Sequence, residues 1–325
     1  MFLLAAIAAL AIGADGAQAA AYPDRTVHIV VGQTAGATSD TVARIVADLL
    51  ADEWRIPIVV DNRPGAGGTI AADIVAKAPA DGYTLLVGGQ SNLAIAAVSE
   101  QDLRYNPITD FVPIGRVARA QYFIVVSAVL PVKSIPELIA HAHADPGRLT
   151  YVSFGGGTLS RLAFELLKKS AGIDLTEIPY KGSAPAVADL LAGRVDMSLN
   201  DLPNMRQHAD AGKVRVIAAA GAQRSAALPD LPTVAEQGLP GYAIDAWYGL
   251  VAPAGLPANV AAALRDALAK VQRSPAFRNR VELSNLEPIR EDAAQFATVI
   301  RDDIDRFAQV LRRIDAATPV PAVAR

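Results

Sequence analysis

Apolar residues in this chain follow two alternating rhythms. The β-branched run Thr26-Val27-His28-Ile29-Val30-Val31 predicts a buried strand. After it, Val42, Ile45, Val46, Leu49 and Leu50 fall at i, i+3, i+4, i+7 and i+8, which predicts one face of a helix. Residues 56–60 predict the next strand, 61–68 a long glycine-bearing turn and 69–78 a helix. Asp81-Gly82 then turns into a strand over 83–87. Strand, helix, strand, helix, strand in that order predicts a parallel sheet with helices on both faces.

The same grammar returns further along. A strand over 149–154 leads through Gly155-Gly156-Gly157 into a helix with Leu159, Leu162, Ala163, Leu166 and Leu167 on one face. Strands are predicted over 175–179, 195–199, 214–220 and 246–252, with a helix over 185–192. From Pro257 onward the pattern is helical, first with Val260, Leu264, Leu268 and Val271 on one face, then with Phe296, Ile300, Phe307, Leu311 and Ile314. From Thr318 the tail alternates Pro and Ala, which predicts disorder over 318–325. No low-complexity linker separates the two halves, so the lobes are expected to be interleaved. Residues 22–124 with 222–317 would form lobe 1 and 125–221 lobe 2, with crossing strands near 123–127 and 216–221.

Composition narrows the function. At 325 residues, 52% hydrophobic and 19% charged, the chain is long enough for two cored lobes. A net charge of −3 offers no basic field for nucleic acid. Four histidines and no cysteine leave little material for a metal site and none for disulfides. The apolar run over 2–12 and the Ala17-Gln18-Ala19 site predict a signal peptide over 1–20, cleaved near Ala19, and hence export, with a buried N-terminal helix as the alternative. The n-region is atypical, since no Lys or Arg precedes the apolar run.

Two strand-to-helix turns carry the candidate chemistry, Gly32 to Asp40 and Gly155 to Ser160. A helix start leaves backbone N–H groups unpaired and carries partial positive charge, so each turn can cradle an anion. The second turn brushes against a phosphate loop but lacks its lysine–hydroxyl pair.

The chain resembles the periplasmic substrate-binding proteins of the tripartite tricarboxylate transporter family, the Bug-type solute receptors. The resemblance is carried by VVDNRPGAGG at 59–68, ADGYTLLVG at 80–88, IPYKGSAPAVADLLAGRVDMSL at 178–199, LPDLPTVAEQGLPGY at 228–242 and APAGLP at 252–257, in the family's order across almost the whole chain. It implies an α/β fold of the two-lobe periplasmic-binding-protein type (type II), each lobe a mainly parallel sheet flanked by helices, with two crossover strands as a hinge. It further implies a small organic acid as ligand, a monomer, no cofactor, no metal and no catalysis. Its partners would be the membrane permease subunits of a tripartite transporter or, alternatively, a sensor protein.

On that reading the first cradle comprises Gln33, Thr34, Ala35, Gly36 and Ala37. Ser39 and Asp40 are candidates with helix capping as the alternative. Alanines stand here where the family commonly has glycines. The second cradle comprises Gly155, Gly156, Gly157 and Thr158, with Arg161 where a histidine is usual; it either leans to the cleft or is solvated. Ser91 and Asn92 close a strand at its carboxyl end, where open parallel sheets bind ligands, and Asn200 and Asp201 do so in the second half. Lys181 reads as a surface lysine, with attraction for the anion as the alternative. The 62–68 loop reads as structural, with a ligand-facing role as the alternative, and Trp247 and Tyr248 read as core, with the cleft as the alternative. An enzyme would need a nucleophile beside a base or paired carboxylates, and no such spacing occurs.

Overall fold

The computed structural model describes residues 22–154, 158–225 and 227–315. The expected signal peptide, its cleavage position, the tail 318–325 and Gly155, Gly156 and Gly157 lie outside them. The first strand–helix alternation is β1 (Val27–Val31), α1 (Thr38–Trp54), β2 (Ile58–Asn62), a 3-10 turn (Ala66–Gly68), α2 (Thr69–Ala76) and β3 (Thr84–Gly89). A π-helical turn (Ser91–Ile95) and α3 (Ala96–Ser99) lead to the long strand β4 (Phe111–Ser127). There follow α4 (Ile135–Ala144), β5 (Thr150–Ser153), α5 (Leu159–Ala171), β6 (Thr176–Pro179), α6 (Ser183–Leu191), β7 (Met197–Asp201), α7 (Leu202–Asp210) and β8 (Val214–Ala219). The chain ends with β9 (Asp245–Pro253), α8 (Ala258–Arg273), α9 (Pro275–Leu283), β10 (Glu287–Glu291) and α10 (Ala293–Asp315). The helical stretch expected from 257 onward is therefore broken twice. Ser274 caps α9 by accepting from Phe277 N, with Pro275 as its first residue, and β10 intervenes before α10.

The strands run in the order β2-β1-β3-β9-β4-β7-β5-β6, with β8 and β10 also on β4. β1 is parallel to β2 and β3, and β5 is parallel to β6 and β7. Every pairing of β4 and β9 is antiparallel. The sheets are thus mixed rather than mainly parallel. The strands that carry the chain between the halves return against their neighbours, and the parallel core survives only on either side of them.

β4 serves both halves. Its residues from Phe111 to Gln121 pair with β9, whereas Tyr122 to Val126 pair with β7. The return path is tied to the same point, because Ala220 N donates to Tyr122 O and Ile244 N to Ala220 O. β9 then begins at Asp245, opposite Gln121. Residues 222–244, expected with the first lobe, bond to both halves. Gln121 Nε2 donates to Gln223 O and Arg306 Nη1 of α10 to Ala243 O, and further bonds reach the other half. Val234 N donates to Ala219 O, Gln237 Nε2 to Ile217 O and Tyr242 Oη to Ala163 O.

Apolar burial explains the layers. Ile29, Leu50, Leu85 and Leu86 are fully buried between β1, β3 and α1, and Phe296, Ile300 and Phe307 seat α10 on the same core. That core continues to the stacked pair Tyr151 and Phe164, 4.6 Å apart at their ring centroids. A second, smaller core holds Phe123, Val125, Leu190, Val195 and Met205. Full burial of each such side chain contributes about 1.5–3 kcal/mol.

Candidate ligand cleft

Three loops at the carboxyl ends of β1, β2 and β3 are pinned together. A Cβ on Gly32 would stand 2.5 Å from Gly68 Cα, so only glycine allows the β1 loop and the 3-10 turn to touch. Asn92 fixes the third loop, accepting from Gly89 N at 2.9 Å and donating from Nδ2 to Gly68 O at 3.3 Å. Asn62 Nδ2 reaches Gln33 O at 3.0 Å and Asp40 Oδ1 at 2.9 Å.

Asp40 is the knot of the first loop. Its buried carboxylate accepts from Gly36 N at 2.9 Å and from Arg44 Nε and Nη2, each at 2.9 Å. Burial alone would raise its pKa, but Arg44, Gly36 N and Asn62 together outweigh burial and hold it below the usual carboxylate range. Ser39 Oγ donates to Gln33 Oε1 at 2.8 Å. Asp40 thus reaches back from the first turn of α1 to the loop backbone ahead of the N-cap, Ala37, which carries no side-chain cap.

These loops enclose a cavity of about 50 Å³. Gln33 and Ser39 line it from the first loop, Gly67 and Gly68 from the second, and Gln90, Ser91 and Asn92 from the third. Trp247 and Tyr248 of β9 and Tyr122 of β4 form the apolar wall, and Leu159 at the start of α5 contributes from the other half. No Lys or Arg is among these lining residues. A space of this size is little more than the share of one or two water molecules, so a bound acid requires the walls to part.

The other candidates lie elsewhere. Thr34, Ala35 and Gly36 are exposed and Ala37 half-buried, outside the lining. Thr158 takes the N-cap position of α5, with its Oγ1 3.2 Å from Ser160 Oγ. Arg161 is exposed and pairs with Glu177 of β6 at 3.4 Å, away from the lining residues. Asn200 Nδ2 donates to Ser198 Oγ at 2.6 Å. Asp201 caps α7, accepting from Asn204 N at 3.4 Å and Nδ2 at 2.6 Å. It also accepts from Thr38 Oγ1 of α1, a bond that crosses between the halves. Burial pushes the Asp201 carboxyl upward against these donors. Burial likewise raises Tyr248 and Tyr122.

Gly67, Gly68, Gln90, Tyr122 and Leu159 were not among the sequence candidates, and Trp247 and Tyr248 were read as core. The strand-end rule that marked Ser91 and Asn92 applies equally to Gln90 beside them. A wider concavity of about 540 Å³ lies between α7, β8 and residues 227–232, with mostly apolar walls such as Leu202, Val216 and Leu231. Of its charged lining residues, Arg206 pairs with Asp210 and Arg215 donates to the carbonyls of Leu130 and Val132. Among the described residues no cluster of His, Asp or Glu could hold a metal ion, and no helix is long and apolar enough to cross a membrane.

Comparison with known proteins agrees with this fold. Residues 42–316 match the family described as tripartite tricarboxylate transporter family receptor. A Pseudomonas sp. (strain P51) protein, the UPF0065 protein in the tcbD-tcbE intergenic region, is 37% identical over 292 residues, covering 90% of this chain and 87% of its own. The structure of R. palustris Rpa4515 with adipate has a TM-score of 0.85 at 35% identity, covering 90% of this chain and 98% of that one. MatC from Rhodopseudomonas palustris with bound malate has a TM-score of 0.82 at 31% identity, covering 89% and 100%. Matching over most of its length in both sequence and fold, the chain belongs to the tripartite tricarboxylate transporter receptor family, a family of receptors rather than enzymes.

Proposed function

We propose that this chain is a periplasmic receptor that captures a small organic acid between two lobes and delivers it to the permease of a tripartite transporter. The observation that carries the reading is the cavity at the strand ends, walled by loops of one half and by Leu159 of the other. Relatives of the same fold hold adipate and malate, both carboxylates. Neutral donors suit such a ligand. Hydroxyl, amide and backbone N–H groups form charge-assisted bonds to a carboxylate without a full counter-charge.

The lobes meet at two points, between Gln121 and Tyr122 on β4 and between Ile244 and Asp245 before β9. Residues 222–244 go with the second lobe through the bonds of Val234, Gln237 and Tyr242. Opening at these points admits the ligand, and contacts from both lobes favour the closed form. Mass spectrometry of small molecules released from natively purified protein tests the reading, together with melting-temperature shifts across a carboxylate panel. An organic acid that co-purifies or raises the melting temperature is expected. If no acid does either, the receptor reading fails.

A further inference from the structure

We propose that Gln90 is a specificity-determining residue of the cleft, whose side-chain oxygen selects organic acids that carry a neutral hydrogen-bond donor, a hydroxyl or amide N–H, besides a carboxylate. The inference rests on the receptor reading above and names the ligand chemistry of the same site.

Gln90 follows β3, lines the cavity beside Ser91 and Trp247, and is only 3% exposed. Its Nε2 donates to Asp303 Oδ2 at 2.7 Å, and the same oxygen accepts Trp247 Nε1 at 2.6 Å. Arg306 Nε completes the group by donating to Asp303 Oδ1 at 3.1 Å. This network fixes which way the amide faces. A carboxylate can be met only by the nitrogen end of an amide, so Oε1 is turned away from Asp303. Among the described residues Gln90 Oε1 is buried and has no hydrogen-bonding partner. A buried acceptor without a partner is destabilising. Once the walls part, a ligand that brings a donor to Oε1 removes that penalty, whereas one that presents a methylene there leaves it in place. Discrimination of this kind is strong because the loss falls on a polar group already withdrawn from water.

The donor is neutral because no unmatched anion faces it. Asp303 is paired with Arg306, and Asp40 with Arg44. No carboxylate lines the cavity, and Asp201 lies outside the lining, bonded to Thr38 and Asn204. An ammonium group would be desolvated there without a counter-charge.

Calorimetry on the mature chain tests this with acids that differ by one hydroxyl, succinate against malate and glutarate against 2-hydroxyglutarate, and with aspartate as the ammonium-bearing counterpart. In at least one pair the hydroxylated acid is expected to bind about 10-fold tighter or more, roughly one neutral hydrogen bond. Aspartate is expected to bind more weakly than malate. In Gln90→Met, which keeps the length of the side chain and removes the acceptor, the preference is expected to fall within about twofold. Gln90→Asn, which withdraws the amide by one methylene, serves as the second variant should the first not fold. Equal binding within every pair, tighter binding of aspartate than malate, or a preference that survives both substitutions overturns the inference while the receptor reading stands. Failure of every acid to bind overturns the receptor reading and this inference with it.

Discussion

Thr38 Oγ1 donates a hydrogen bond to Asp201 Oδ2, tying the first turn of α1 to the last residue of β7 across the junction between the halves. Both residues are buried. Burial, the largest influence on Asp201, raises its pKa despite the donors from Thr38 and Asn204. Between the ordinary aspartate pKa and the raised value, the folded chain holds a proton that the unfolded chain has released. Stability contributed by this group is full below the ordinary aspartate pKa, about 4, and is lost as pH rises through the raised value. Asp245 is shifted the same way by burial, so the comparison must be made between variants. Asp201→Asn keeps an acceptor for Thr38 and is expected to flatten the decline in melting temperature above pH 4 relative to the parent. Parallel pH profiles for the two proteins would refute this.

Asp40 carries the opposite sign. Burial opposes ionisation, but Arg44, Gly36 N and Asn62 outweigh it and lower the pKa. Its contribution is present above the ordinary aspartate range and is lost as pH falls through the lowered value. Asp40→Ala leaves Gly36 N, Asn62 and half-exposed Arg44 without their shared acceptor. We expect a loss of about 1–3 kcal/mol in denaturant unfolding, chiefly from the charge-assisted bonds made by these partly buried donors. Weaker ligand binding should accompany it, because the loop bearing Gln33 is held through the same contacts. A stability change below about 0.5 kcal/mol, the usual span of surface substitutions, would contradict the knot.

Arg161 and Ser91 separate two views of the cleft. Arg161 pairs with Glu177 outside the lining, whereas Ser91 lines it and is half-buried. Arg161→Ala is expected to leave ligand affinity within about twofold, since an exposed ion pair is worth little. Ser91→Ala is expected to weaken it about 5- to 10-fold, the value of one neutral hydrogen bond. A large loss in Arg161→Ala would place the guanidinium on the ligand after all.

The elements with strong periodicity were legible because one physical pattern dominated each. Val27, Ile29, Val30 and Val31 and the Val42–Leu50 stripe are buried as their spacing predicts. β4 was visible only at its Phe123–Ser127 end. Its first part contains Pro113, Gly115, Arg116 and Arg119, which read as loop until their partners are known. Those arginines pair with Glu291 and Glu287 of β10, so β10, too, lacked an apolar alternation of its own. In the cleft, the strand-end rule found Ser91 and Asn92 from local sequence alone. Gly68 escaped it because its place beside Gly32 is a contact between distant loops. Arg161 was correctly set in the first turn of α5, but which way that turn faces depends on where Glu177 of β6 lies.

Trp247 offers a direct optical readout of the cleft. The chain has two tryptophans. Trp54 stands at the end of α1, edge-on to Tyr22 with 6.0 Å between ring centroids, and is not among the cavity-lining residues. Trp247 is 3% exposed, bonds to Asp303 through Nε1 at 2.6 Å and meets Phe296 edge-on at 5.2 Å. A ligand that parts the cavity walls changes the polarity around Trp247 and leaves Trp54 undisturbed. Intrinsic fluorescence should therefore shift on titration with a bound acid, and the shift should vanish in Trp247→Phe while calorimetry still detects binding. The variant loses one hydrogen bond to Asp303, a cost of about 1 kcal/mol, which Gln90 and Arg306 on the same carboxylate help the fold to absorb. A fluorescence change that persists in Trp247→Phe would move the ligand away from β9 and towards the surface that carries Trp54.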